Sequence, residues 1–269
     1  MNKPKIAKIL RISLLAGIPV AALLQELALL LSYDTDTNYF VTNAPLPVFA
    51  NIFTGLLFAL AILSALLDKN PIDTASPFGS QIWMAIPAAI GFATAGLFFA
   101  VDFLVNSKTL SLVTAIFLLL SVAHLLSSET NRRTALLGFF PPLACACLVC
   151  ILYFDTSMEM NAPLKVTTQC ALLPLMLYFT AELRYLLGRE LPRLFVALAL
   201  GSLAASSLCI LTVPAASITG RLENAYCLIA AIAVIGINAT VALRQWRYLN
   251  APKTIPSPDE NDTKETDAQ

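Results

Sequence analysis

The feature that most constrains this chain is its first apolar run, Ile9 to Leu31, set between a basic leader and an acidic loop. At about 1.5 Å of rise per residue, such a run crosses a hydrocarbon core of about 30 Å as a single helix. Lys3, Lys5, Lys8 and Arg11 precede or open it, and Asp34 and Asp36 follow it. Basic flanks stay on the cytoplasmic side, so the asymmetry sets the direction of this span and of every later one. A basic leader, the apolar stretch 12–23 and the small Ala21-Ala22 pair also fit a cleaved signal peptide. The continuation to Leu31 and the spans that follow favour an uncleaved first helix.

Composition generalises the point. The chain of 269 residues is 58% hydrophobic and 13% charged, against roughly 45–50% and about 25% for soluble proteins. No soluble domain of this size hides that much apolar surface. The hydrophobicity pattern predicts an all-α, polytopic transmembrane bundle of about eight spans, near 9–31, 47–67, 82–105, 109–127, 134–154, 168–187, 194–213 and 224–243. With the N-terminus inside, fourteen Lys and Arg fall on the cytoplasmic side and only Lys108, Lys165 and Arg221 outside. That partition is what an even number of spans with both termini cytoplasmic requires. Trp83 and Trp246 fall at the cytoplasmic interface of the same arrangement, where indole rings prefer to sit.

Residues 1–248 are read as one transmembrane domain and 249–269 as a disordered, acidic, proline-rich cytoplasmic tail. Short turns are expected at Asn106-Ser107-Lys108 and at 187–192, where Gly188 suits a helix C-cap and Pro192 a helix start. The longest outer loops are 32–45 and 155–167.

Ionisable groups in hydrocarbon are costly, and each is a functional candidate. Glu26, beside Gln25, lies about a turn from the outer end of the first span, with Pro19 and Ala22 on its face. Asp102 shares a face of the third span with Gly91 and Ala95, a small-residue surface that lets another helix approach. Asn51 and Thr54 in the second span and Gln169 in the sixth also start from the outer side. Glu26, Asn51, Asp102 and Gln169 are therefore the candidate substrate-binding or proton-coupling residues of an outward-facing cavity. The alternative is that they are wet groups at span ends.

On the inner side, His124 stands alone and suits packing or a hydrogen bond better than a metal. Glu182 and Arg184 are two apart and face different sides of their helix, so Glu182 is expected to pair with an arginine of another span, Arg132 or Arg133. Asn238 and Thr240 fit interhelical hydrogen bonds. Cys145, Cys147 and Cys150 have a C-x-x-C spacing but sit in apolar sequence after Pro141-Pro142, without a basic neighbour to activate a thiol. Ala197, Gly201, Ala205 and Cys209 form a packing stripe in the seventh span.

No zincin, nucleophile-elbow or Walker motif occurs, and no basic groove for nucleic acid. The chain is read as a non-enzyme with no cofactor and no metal. Its partners are the bilayer and either another membrane protein or a second copy.

The stretch Ser32-Tyr33-Asp34-Thr35-Asp36-Thr37-Asn38-Tyr39-Phe40 resembles a D-x-x-T-G-aromatic loop after the first span of uncharacterised multi-spanning membrane proteins of Gram-positive anaerobic bacteria, with Asn38 in place of the glycine. The resemblance implies a bacterial plasma membrane and no particular activity. The expectation is a small permease-like protein. The competing reading is a membrane-embedded sensor or accessory subunit of a larger complex.

Overall fold

A computed structural model describes residues 3–34, 37, 39–67, 82–127, 136–188 and 191–250. Nine α-helices lie among them: α1 (Lys3–Ser32), α2 (Pro45–Leu67), α3 (Ile86–Asn106), α4 (Thr109–Leu126), α5 (Phe140–Phe154), α6 (Pro163–Leu186), α7 (Pro192–Ser206), α8 (Thr212–Ile218) and α9 (Ala225–Asn250). Six of them, α1, α2, α3, α4, α6 and α9, are long and apolar enough to cross a membrane. The described residues are predominantly helical, and these six helices are compatible with an integral membrane protein. The expected acidic tail from 251 onward, Arg132, Arg133 and Asn38 lie outside the described residues.

Helix α3 shows why these sequences form a bundle in lipid. Its buried face is Ala88, Ala89, Gly91, Phe92, Ala95, Gly96, Phe99 and Asp102. Ile90, Leu97, Val101 and Leu104, the large aliphatics, point outward at 58–78% exposure. Lipid tails solvate large apolar side chains as well as a protein core does. Association therefore comes from close backbone approach over small residues. Gly91 meets Ala233 of α9, where an added Cβ would stand 3.2 Å from the Ala233 Cα. Gly236 of α9 lies against the carbonyl of Pro87 in the same crossing.

Neighbours in sequence pack as antiparallel pairs (α1 with α2, α3 with α4, α4 with α5, α5 with α6, α6 with α7), and α9 closes the bundle against α3. The α3–α4 turn is as short as expected, with Ser107 in the left-handed region at φ 54° and its N–H on the Phe103 carbonyl. Gly188 at φ 73° follows α6, and Pro192 opens α7, for the reasons legible in the sequence.

Four boundaries differ from expectation. The third helix begins at Ile86, after a 3₁₀ turn at Ile82–Met84 that holds Trp83. Helix α5 is only 15 residues long, because Pro141 and Pro142 occupy its first turn, and Leu136–Phe139 precedes it as a separate turn. Helix α6 starts five residues earlier than read, so Lys165 belongs to its first turn and not to a loop. The seventh run is broken: α7 stops at Ser206 and α8 resumes at Thr212. At the break the Ser207 N–H turns to the Ala204 carbonyl, one residue short of its helical partner Leu203. The loop after α1 also carries a small hairpin, Tyr33 paired with Phe40 and Asp34 with Tyr39.

Candidate functional site

The polar groups gather at two ends of the bundle, called here the Lys108 end and the Arg244 end. At the Lys108 end the N-terminus of α9 is the organiser. Asn224 caps it, its Oδ1 accepting the Cys227 N–H at 2.7 Å. Its amide donates to the Asp155 carboxylate and, at 2.6 Å, to Ser157 Oγ. Lys165, 1% exposed, donates to the Asp155 carbonyl at 2.7 Å, closing the C-terminus of α5. Two residues past the cap, Tyr226 donates to Asp102 at 2.9 Å and accepts from Lys108 at 2.8 Å. Asn106 and Ser111 also donate to Asp102. Its carboxylate thus holds three hydrogen bonds that tie α3, α4 and α9 together.

Glu26 and Asn51 belong to a different group. Gln25, 4% exposed, donates to Asn51 Oδ1 at 2.9 Å and joins α1 to α2. Arg221 donates to the Leu29 carbonyl at 2.8 Å, satisfying the last turn of α1. Glu26 is half-buried near Arg221, and its Oε2 is buried with no hydrogen-bond partner among the described residues. Gln169 is half-buried on α6. The four candidates read from the sequence thus fall into separate places: Glu26 and Asn51 on α1–α2, Asp102 on α3–α4–α9, and Gln169 on α6.

An outer tie joins the hairpin to the following loop. Tyr39 donates to Glu159 at 2.6 Å. That bond, with the negative charge beside it, holds the phenol above its ordinary value. The neutral phenol is the donor, so the tie is complete below that ordinary value and is lost as pH rises through the raised one. Absorbance titration should show Tyr39 ionising late in the native protein and at its ordinary pH in Glu159→Gln. Unchanged curves would mean that the loops are not joined in solution. Lys108 is likewise held above its ordinary value, first by its bond to Tyr226.

At the Arg244 end, Arg244 Nη1 donates to both Glu182 oxygens, at 3.1 and 3.0 Å, and to the Tyr178 hydroxyl at 2.9 Å. Glu182 and Tyr178 are buried, while Arg184 faces out. A partner of Glu182 is therefore an arginine of another helix, as expected, and it is Arg244 of α9; Arg132 and Arg133 lie outside the described residues. Thr240 accepts the Ala88 N–H at 3.0 Å across the α3–α9 crossing. His124 lies half-buried near the end of α4. Cys145 is buried, Cys147 half-buried and Cys150 exposed, all as free thiols on different faces of α5. Among the described residues, no three His, Cys, Asp or Glu side chains gather as a metal-ion site.

Sequence reading passed over Ser202, Ser206, Ser207 and Thr212, all buried around the break between α7 and α8. Each hydroxyl donates to a carbonyl three or four residues back, at 2.6–2.8 Å. The i, i+4 spacing of Ser202 and Ser206 was the available signal, overshadowed by the Ala-Gly-Ala stripe on the same helix.

No protein-family model, no curated protein and no solved structure matches this chain.

Proposed function

We propose that this protein is a small permease of a bacterial plasma membrane, crossing eight times with both termini in the cytoplasm, and that the broken α7–α8 segment faces the transported solute. One observation carries the reading. Every residue from Ala199 to Ser207 is buried, with α2, α6 and α9 around this half of the helix, and the backbone is interrupted directly after it, where Leu208 and Ile210 are half-buried and Leu211 is exposed. Non-helical backbone at membrane depth is tolerated only inside protein or along a cavity. Discontinuous helices of this kind build the solute and ion sites of transporters.

Two segments supply the crossings beyond the six long helices: α5 with the turn at Leu136–Phe139, and the α7–α8 pair from Pro192 to Ile218. Charge supports the orientation. Lys5, Lys8, Arg11, Arg184, Arg193, Arg244 and Arg247 lie towards the Arg244 end, which is the cytoplasmic one in this reading. Of the earlier candidates, Glu26 is the carboxylate left for solute or proton, since Asp102 is committed to three donors.

The test is uptake into proteoliposomes of a solute first selected because it raises the melting temperature of the purified protein. Glu26→Gln is expected to lower uptake at least tenfold while melting as the wild type does. Full uptake in that variant would remove Glu26 from the mechanism. A membrane protein co-purifying at a fixed ratio, with no solute stabilising or crossing, would replace the permease by an accessory subunit.

A further inference from the structure

The two ends of the bundle use their cations in opposite ways. At the Lys108 end every described cation is held by a protein group. Lys108 donates to the Tyr226 hydroxyl at 2.8 Å, Lys165 to the Asp155 carbonyl at 2.7 Å, and Arg221 to the Leu29 carbonyl at 2.8 Å. Carboxylates are also plentiful there: Glu26, Asp34, Asp102, Asp155, Glu159 and Glu223 all lie at or towards that end. At the Arg244 end Glu182 is the only carboxylate among the described residues, and Arg244 already holds it at 3.0 Å.

Lys5, Lys8, Arg184 and Arg193 are left over. All four are exposed, and none makes a hydrogen bond or ion pair with a described residue. Lys5 and Lys8 lie in the first two turns of α1, Arg184 in the last turn of α6 and Arg193 in the first turn of α7. The contact between Tyr185 and Phe195, with ring centroids 5.1 Å apart, sets the ends of α6 and α7 at one height. Ile9 and Ile12 stand four residues after Lys5 and Lys8 on the same exposed face, and Leu177 and Leu187 share the exposed face of Arg184. Such faces meet lipid, so the aliphatic stems of these cations run along apolar surface while the charged heads reach the headgroup layer.

Helix electrostatics do not account for this placement. Lys5 and Arg193 stand in first turns, where the macrodipole disfavours positive charge, and neither α1 nor α7 has an acidic residue there. Leu191, the N-cap of α7, makes no side-chain cap, so the free N–H groups behind it add to the positive potential. Nothing among the described residues neutralises the rim. Its charges are also spread over three lipid-facing helices and not gathered in one pocket, which suits several headgroups of one leaflet better than one soluble anion.

We propose that this rim, through Lys5, Lys8, Arg184 and Arg193, binds the headgroups of anionic phospholipids. Each guanidinium meets phosphate oxygens with its planar fork and each ammonium as a point charge. An anionic surface is worth roughly a fivefold gain in association per nearby cation, and salt screens it. The inference goes beyond the transport reading and stands without it.

The experiment is spin-label electron paramagnetic resonance on the purified full chain in phosphatidylcholine membranes, with tracer phosphatidylglycerol or phosphatidylcholine carrying the same label. Averaged over the lipid boundary, phosphatidylglycerol is expected to associate about threefold better or more, and the preference to fall in high salt. Changing all four cations to glutamine should abolish the preference. Lys5→Gln with Lys8→Gln, and Arg184→Gln with Arg193→Gln, should each remove part of it, while Lys108→Gln at the other end should leave it intact. The fourfold variant is expected to melt in pure phosphatidylcholine as the wild type does, because these side chains hold nothing among the described residues. Equal association of the two lipids, or a preference that survives in the fourfold variant, overturns the proposal. So does a preference that appears only after Asp259, Glu260, Asp262, Glu265 and Asp267 are made neutral, because the chain's own acidic stretch would then be the occupant.

Discussion

Replacing Glu182 with leucine is expected to be the most damaging single change in the protein, lowering stability by about 3–5 kcal/mol. The loss comes less from the attraction removed than from the charge left behind. Arg244 holds both carboxylate oxygens and the Tyr178 hydroxyl through one nitrogen, with side-chain exposures of 12% for Arg244 and 5% for Glu182. Deprived of this counter-charge, the guanidinium stays in a low-dielectric setting. Replacing both partners with apolar residues of similar volume, Glu182→Leu with Arg244→Met, should recover most of the loss, because no orphaned charge remains. Unfolding in mixed detergent would read both variants. If the single variant melts within 1 °C of the wild type, the pair is not buried as described.

Gly236→Ala is expected to disrupt the α3–α9 crossing by about 1–3 kcal/mol or more, although alanine is the better helix former. A Cβ there would collide with the Pro87 carbonyl oxygen, which is backbone and cannot rotate aside. The helices would have to separate, straining the Thr240 bond to the Ala88 N–H in the same crossing. Gly55→Ala is the control. No atom lies within 4 Å of its added Cβ, so helix propensity acts alone and stability should hold or rise slightly. Equal melting of the two variants would mean that the crossing is looser than the structure shows. The same crossing holds the helix that carries Tyr226 at one end and Arg244 further along.

Much of the architecture was legible in the sequence, and particular residues show why. Apolar length is a local property, so runs such as Ile9–Leu31 and 224–243 announce membrane-length helices without any tertiary information. Caps are local too: Gly188 and Pro192 mark a helix end and a helix start from backbone preferences alone. The small-residue face of α3, with Gly91 and Ala95, also identified itself as a packing surface that carries Asp102 inward. Lys165 was misplaced by a few residues because Pro163 permits a helix to start before the apolar run does.

Partnership was not legible. Asp102 bonds Tyr226, 124 positions away, and Glu182 takes Arg244, 62 positions away. Nothing local specifies either pair. The break in α7 was hidden as well, since Ser206 and Ser207 are compatible with an uninterrupted helix and only their surroundings hold them in a tighter turn. By itself the sequence determined that the chain forms long apolar helices of membrane-crossing length, because hydration and backbone sterics act residue by residue. Only the tertiary structure decided which polar groups meet and which, like the Asn238 amide oxygen, are buried without a hydrogen-bond partner among the described residues. Helix order is set by how small-residue faces fit one another in three dimensions, and no span carries that information alone.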